Sequence, residues 1–449
     1  MKANVIRLFD ALRGSYWFLP MVMTLCSAML AWGMISIDEA GPDWIERIGW
    51  VRAAHPDGAR QILSVIGGSM VTVAGTVFSV TIAAVVYASG QYGPRLLSNF
   101  MGDRGNQVTL GTFISTFVYC LLVLRTVRSA DEAGSGEFVP DLALMIALVL
   151  ALCSIAVLIY FIHHVPSKLH INSVIADIGE KLARNLKTRF PESLGEAHQD
   201  GAPPARDAIT GDHGQDDEPG IPIMAQSSGY LQLIDDDLLL DLAQQYDIIL
   251  RLRVQPGDFL HPGRTIADAR PASRITEPAN AAIAGAFAVG IRRTALQDIR
   301  FLVDELVEIA ARALSPGVND PFTAITCIDW LGAALLDVSL REAPSRLRAD
   351  KNGALRVVAY PVTFESLVER SFGALSQYCA GDALAALRYA EVLGESLLAC
   401  FEKERKTCID RQLNRFIGIA ATKLTANNLT RLQSHVLCIQ TRASQRSDS

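Results

Sequence analysis

Ser69, Thr72, Thr76 and Ser79 recur at spacings of three, four and three inside a long apolar run. On a helix this spacing sets four hydroxyls on one face. Such a row can line a water-filled path and replace part of an ion's hydration shell. It can equally seat one helix against another, because small and hydroxyl residues are common at helix interfaces in membranes. Gly67, Gly68 and Gly75 allow close approach, and Gly90 and Gly93 loosen the exit of the run. The next apolar run carries a second row, Thr109, Thr112, Thr116 and Tyr119. Pore lining and helix packing both remain open for Ser69, Thr72, Thr76, Ser79, Thr112, Thr116 and Tyr119.

A second candidate lies far downstream in Ser315-Pro316-Gly317-Val318-Asn319-Asp320-Pro321. The first five residues end one helical stretch. Asp320 then caps the next helix, with Pro321 at its first position. A helix corner accounts for each residue, and the free N–H groups after Asp320 could also hold an anion or a partner's carboxylate.

Other chemistry is sparse. The sequence has no phosphate-binding G-x-x-x-x-G-K-[ST], no H-E-x-x-H and no G-x-S-x-G. Asp235, Asp236 and Asp237 are adjacent, so they point in different directions and suit a helix N-terminus better than a cation. His163 and His164 end an apolar run, with His170 nearby, and read as interfacial residues. We therefore expect no catalytic residue, no metal site and no cofactor. Net charge is −6, which argues against a nucleic-acid partner.

The elements that carry the hydroxyl rows are four apolar runs, roughly Tyr16–Ile37, Ile62–Ala88, Val108–Val127 and Leu142–Val165. Each reaches the ~20 residues that a helix needs to cross a bilayer core of about 30 Å. Three of the interiors hold no charge, and Arg125 lies near the end of the third, where it can snorkel to the headgroups. The first run is longer than a signal-peptide core and reads as an uncleaved anchor.

Basic residues set the expected orientation. Lys2, Arg7 and Arg13 precede run one, Arg95 and Arg104 lie between runs two and three, and Lys168, Lys181, Arg184, Lys187 and Arg189 follow run four. The first and third loops are instead rich in acids. The positive segments share one side, so both termini are expected in the cytoplasm. Tyr16 and Trp17 on that side, and Trp44 and Trp50 on the other, suit interfacial belts. Eight scattered cysteines without C-x-x-C spacing suit free thiols in a reducing cytosol.

The expected fold is membrane α-helical, with four transmembrane helices followed by a soluble α+β cytoplasmic domain. Residues 1–166 form the transmembrane domain and 167–190 a juxtamembrane helix. In the latter, Ile171, Ile175, Ile178 and Leu182 make a stripe that could pair protomers or pack on the same chain. Residues 191–220 hold eight acids and few apolar groups, and are expected to be a disordered linker. A small β-rich subdomain over 221–295, a mainly helical one over 296–430 and a flexible tail over 431–449 complete the division.

Three stretches resemble one family as they stand. They are SMVTVAGTVFSVTIAAVVYASGQYGPR (Ser69–Arg95), SGYLQLID with VQPGDFLHPG (Gly229–Ile234 and Val254–Gly263), and ALSPGVNDPFTA (Ala313–Ala324). Together they resemble the bacterial predicted-membrane-protein family called domain of unknown function 2254. The resemblance implies an inner-membrane protein with four spanning helices and a soluble tail, and assigns no catalytic residue. Val254–Ala267 is also similar to the strand–turn–strand of biotinyl and lipoyl carriers. No Lys lies between Lys187 and Lys351, which excludes a swinging arm there.

These readings converge on a non-enzymatic protein of the bacterial inner (plasma) membrane. The leading expectation is an oligomeric channel or solute-conducting protein regulated by its cytoplasmic domain. The absence of an intramembrane acid or His argues against a proton-coupled carrier, and four helices favour a pore shared among subunits of a homo-oligomer. The alternative is a non-conducting anchor that presents a sensing or scaffolding domain. Expected partners are the lipid bilayer, further copies of the chain, and a cytoplasmic protein or small molecule as regulator.

Overall fold

A computed structural model describes residues 15–40, 55–92, 103–129, 138–188, 190–192, 194–197 and 220–445. The charged N-terminal stretch, Trp44, Trp50, Arg95, the acids 131–137 and linker residues 198–219 lie outside the described residues. The chain divides into two compact units that meet in sequence between Ser173 and Val174.

Among its described residues the first unit has four long helices: α1 (Phe18–Ala40), α2 (Pro56–Tyr92), α3 (Arg104–Leu124) and α4 (Asp141–Leu169). α2 and α4 contain their apolar runs whole, while α1 starts two residues inside its run and α3 ends three residues before Val127. α3 packs against all three others. Half of its apolar window is buried (50%), against 17–22% for its neighbours. That centrality explains its small residues. A Cβ on Gly111 would lie 3.2 Å from the Pro20 backbone and 2.5 Å from the Met23 sulfur, so glycine lets α1 lie close. α4 begins after Pro140, which has no side-chain cap bond. Asp38 supplies that cap from the end of α1, accepting from the amides of Leu142 and Ala143 at 3.1 and 2.9 Å.

His170 is extended (φ −60°, ψ 124°) and separates α4 from α5 (Ile171–Lys187). The apolar run and the amphipathic stripe are therefore two helices. Ile175, Ile178 and Leu182 are fully buried in the second unit, with Gly179 set against the Trp330 ring. The stripe packs on its own chain.

The second unit mixes sheet and helix. β1 (Glu196–Ala197), β2 (Ile221–Met224), β3 (Gly229–Ile234), α6 (Asp236–Gln245), β4 (Ile249–Leu252), β5 (Phe259–Leu260), β6 (Thr265–Arg270), α7 (Glu277–Ala284) and β7 (Phe287–Gly290) come first. α8 (Ile299–Ala313), α9 (Pro321–Ser339), β8 (Leu347–Ala349) and β9 (Leu355–Val358) follow. α10 (Phe364–Val368) then continues through a π-helical turn, Glu369–Gly373, into α11 (Ala374–Cys379). The last helices are α12 (Ala383–Ala399), α13 (Lys403–Ala420) and α14 (Ala426–Gln445).

Six strands form one sheet in the order β1-β8-β9-β4-β6-β2, antiparallel except for the β4–β9 pair, and β5-β3-β7 form a second. Leu250 pairs with Ala269 on one side and Val357 on the other, and all three are fully buried. The boundary expected at residue 295 therefore cuts through a sheet, because β8 and β9 return to it from beyond α9. The stretch expected as a linker from 191 is structured at its start. Ala197 pairs with Arg348, whose guanidinium also donates to the carbonyls of Glu192, Leu194 and Gly195 at 2.5–3.0 Å.

The tail expected to be flexible from 431 is instead helical to Gln445. Leu432, Val436, Ile439 and Ala443 recur at 4-3-4 spacing and are buried, with Ile439 against Gly394 of α12. Among the described residues five helices are long and apolar enough to cross a membrane, the fifth being α9, so the expected count of four is not fixed by length and composition. α9 packs between α8 and α12, where Gly332 seats against Val392. All eight cysteines are free thiols.

Candidate functional site

The four hydroxyls of α2 lie on one exposed face of the first unit. Each donates to a carbonyl of its own helix: Ser69 to Ile66 at 2.8 Å, Thr72 to Gly68 at 3.0 Å, Thr76 to Thr72 at 3.0 Å and Ser79 to Gly75 at 2.8 Å. Their lone pairs remain open outward. Gly68 and Gly75 share the face, and a Cβ on either would meet nothing within 4 Å. The result is a shallow polar strip on an otherwise apolar surface.

The α3 row points elsewhere. Thr116 meets Ser154 of α4 at 3.1 Å, and the buried Tyr119 hydroxyl donates to the Ala143 carbonyl at 3.0 Å. Thr109 donates to Gly105, and the half-buried Thr112 to Val108. Thr116 and Tyr119 thus find partners on α4, and Thr109 and Thr112 on their own helix, as hydrocarbon requires of buried polar groups. The two rows predicted from sequence are not brought together within the protomer.

A polar cluster that the spacing did not reveal joins the start of α3 to the end of α4. Asp103 caps α3 through one oxygen, which accepts from the Gly105 amide at 2.7 Å. Its other oxygen lies 2.9 Å from Nε2 of His164, and Nδ1 of that ring meets the Tyr160 hydroxyl at 2.9 Å. The Tyr160 and His164 rings stack at 4.9 Å. Carboxylate, imidazole and phenol form a chain that can orient or pass a proton. Asp103 and His164 are 61 residues apart, so no local pattern links them.

The Ser315–Pro321 corner is built as a capped turn. Asn319 takes a left-handed φ of 51°, and its amide donates to the Ser315 carbonyl at 2.9 Å. The Ser315 hydroxyl donates to Arg312, and Asp320 accepts from the Thr323 amide and hydroxyl at 3.1 and 2.6 Å. Pro316, Gly317 and Asn319 are exposed, while Asp320 and Pro321 are half-buried. Asp320 therefore takes up one of the N–H groups expected to be free, that of Thr323, as a capping residue does.

The turn at Gln255–Asp258 carries a larger charge network. Asp298 caps α8, accepting from Phe301 at 3.2 Å, and receives Arg293 at 2.6 and 2.8 Å. Arg300 donates to the Pro256 carbonyl and to Asp258. Arg293 also reaches Asp304 at 2.6 Å, where Arg370 of the π-turn donates twice at 2.6 and 2.7 Å. Burial pushes the Asp298 carboxyl above its usual range in spite of Arg293. Burial opposes ionisation of Asp304 as well, but the bonds from Arg370 and Arg293 prevail and hold it below that range. The network fastens the sheet region to the helices. Among the described residues no group of His, Cys, Asp and Glu could hold a metal ion.

A family model described as a predicted membrane protein, DUF2254, matches residues 13–395. An uncharacterized protein of Mycobacterium bovis and one of Mycobacterium tuberculosis are each 29% identical over 415 residues, 90% of this chain and 76% of theirs. No solved structure matches.

Proposed function

The chain belongs to this DUF2254 family of predicted membrane proteins, and from that premise we propose that several protomers assemble around α2 to enclose a path for an ion or small solute. The observation that carries the reading is the exposed Ser69, Thr72, Thr76 and Ser79 strip, flanked by glycine, on a protomer whose helices close around α3. The central position of α3 favours a path between protomers over one inside a single protomer. Copies that turn their α2 strips toward a shared axis would supply hydroxyl oxygens to a passing solute.

In this reading four helices span the bacterial inner membrane, with both termini in the cytoplasm. α9 stays with the soluble helices, supported by its acids Asp329 and Asp337, which pair with Arg388 and Arg341 at 2.6 and 2.9 Å. The second unit regulates the path and performs no catalysis. Purified protein in liposomes, assayed for ion and small-solute flux, tests the proposal. A protein that is monomeric in the bilayer and passes nothing would overturn it.

A non-conducting anchor is the second reading. It is favoured by the way each α2 hydroxyl already bonds its own backbone, which makes the strip tolerable against lipid. Unchanged cellular function in a Thr72→Val, Thr76→Val protein would select it.

A further inference from the structure

The second unit holds a cleft of about 480 Å³ between the end of α9, the segment before α10 and the first turns of α13. This is the size range of small-ligand sites. Val338, Pro344, Val362 and Phe364 give it an apolar wall. Six charged side chains also line it, and four cancel in pairs. Arg405 meets Glu402 at 2.7 Å and donates to the carbonyls of Val338, Ser339 and Arg341, while Arg411 meets Glu365 at 3.1 Å.

One charge of each sign is left. Arg346 lies over the Tyr360 ring at 5.5 Å and has no acid within ion-pair distance among the described residues. Glu404, in the first turn of α13, faces the same cleft without a basic partner among them. The Glu402 side chain makes no cap bond at the start of that helix and pairs with Arg405 instead.

An apolar wall, one guanidinium and one carboxylate together describe a complementary ligand. We infer that the cleft binds a small zwitterion with an apolar body, of the class of an α-amino acid with an apolar side chain. Its carboxylate pairs with Arg346 and its ammonium with Glu404, while the side chain covers Val338 and Phe364. A simple carboxylate would leave Glu404 facing an anion, and a simple amine would leave Arg346 facing a cation. The site stands whether or not the membrane helices conduct.

The test uses the full chain in lipid nanodiscs, with the standard L-amino acids as probes, read by calorimetry and by thermal shift. At least one apolar amino acid should bind saturably. 4-Methylpentanoate and 3-methylbutylamine, each lacking one charge of leucine, should bind more weakly by about tenfold or more, one charge-pair's worth of affinity. Arg346→Gln and Glu404→Gln should each weaken the amino acid similarly while leaving the unliganded melting temperature unchanged, since both side chains are exposed. Val362→Trp should abolish binding by filling the cleft. The inference is overturned if no amino acid binds, if the carboxylate alone binds as tightly, or if the charge or cleft-filling variants bind like wild type. Flux is not part of the readout, so these results are independent of conduction.

Discussion

A Cβ on Gly257 would lie 1.9 Å from Oδ2 of Asp298. The glycine has a φ of +92°, and its amide donates to the Leu231 carbonyl at 2.7 Å. The missing side chain is what allows the Gln255–Asp258 turn to rest on the carboxylate that caps α8. Gly257→Ala would strain the backbone at this φ and drive its Cβ into the carboxylate. The expected loss is about 2–5 kcal/mol, from an unfavourable φ and overpacking at a buried ion pair. Thermal unfolding in detergent reads it directly, and an alanine variant as stable as wild type would refute the arrangement.

Asp304→Asn leaves Arg293 and Arg370 sharing a neutral amide. Removing one member of a buried ion network costs ~3–5 kcal/mol, and the half-exposed Arg370 reduces this to about 2–3 kcal/mol. Chemical denaturation should show the loss, with Arg370→Met less severe than Asp304→Asn.

The same carboxylate gives a pH signature. Its folded pKa lies below the unfolded value, so its contribution is fully present above about pH 4 and fades as pH falls through the folded pKa. Asp298 is shifted the other way, and its effect on stability falls as pH rises through its own folded value. Wild type should therefore lose more stability between pH 5 and 3, roughly the carboxylate range, than Asp304→Asn does. Parallel curves would rule out this role for Asp304.

At the end of the membrane unit, a Cβ on Gly105 would come within 2.5 Å of His164 Nε2. Gly105→Ala should push the ring off Asp103 and loosen the start of α3 from the end of α4. His164→Ala should do the same without the clash, each at about 1–2 kcal/mol for the lost bonds. Hydrogen exchange should rise at residues 105–108 and 160–164 in both variants. Protection equal to wild type would show that the contact does not hold these ends.

For the α2 strip, Thr72→Val with Thr76→Val keeps shape and removes the hydroxyls. Liposome flux should fall about tenfold, equivalent to about 1.4 kcal/mol at the barrier. Thr116→Val, which breaks the buried bond to Ser154, should lower the melting temperature and leave flux per folded protein intact. Equal flux losses in the two proteins would remove the distinction between strip and interior.

Much of this architecture is legible in the residues. Length and absence of charge mark α1 to α4, and alternation marks β4, because solvent and lipid act on each residue locally. The 4-3-4 pattern of Leu432, Val436, Ile439 and Ala443 was equally present, but polar neighbours obscured the helix. Composition marks a boundary near residue 166, but the helix runs on to Leu169 and the break falls at His170, where no residue type announces it. Ala349 pairs with Glu196, 153 residues away, and three-residue β8 carries too little pattern to announce itself. Tertiary closure decides such pairs. The same holds for Gly257 with Asp298 and for Asp103 with His164, which is why both clusters emerge only from the fold.

Asp38 serves the first turn of α4 from the end of α1, two helices that the ribosome makes far apart in time. Until α1 is in place, the amides of Leu142 and Ala143 have no carboxylate to receive them. The contact therefore sets a condition on assembly: the first and the fourth of these helices, 104 residues apart at Asp38 and Leu142, have to meet before that helix start is capped.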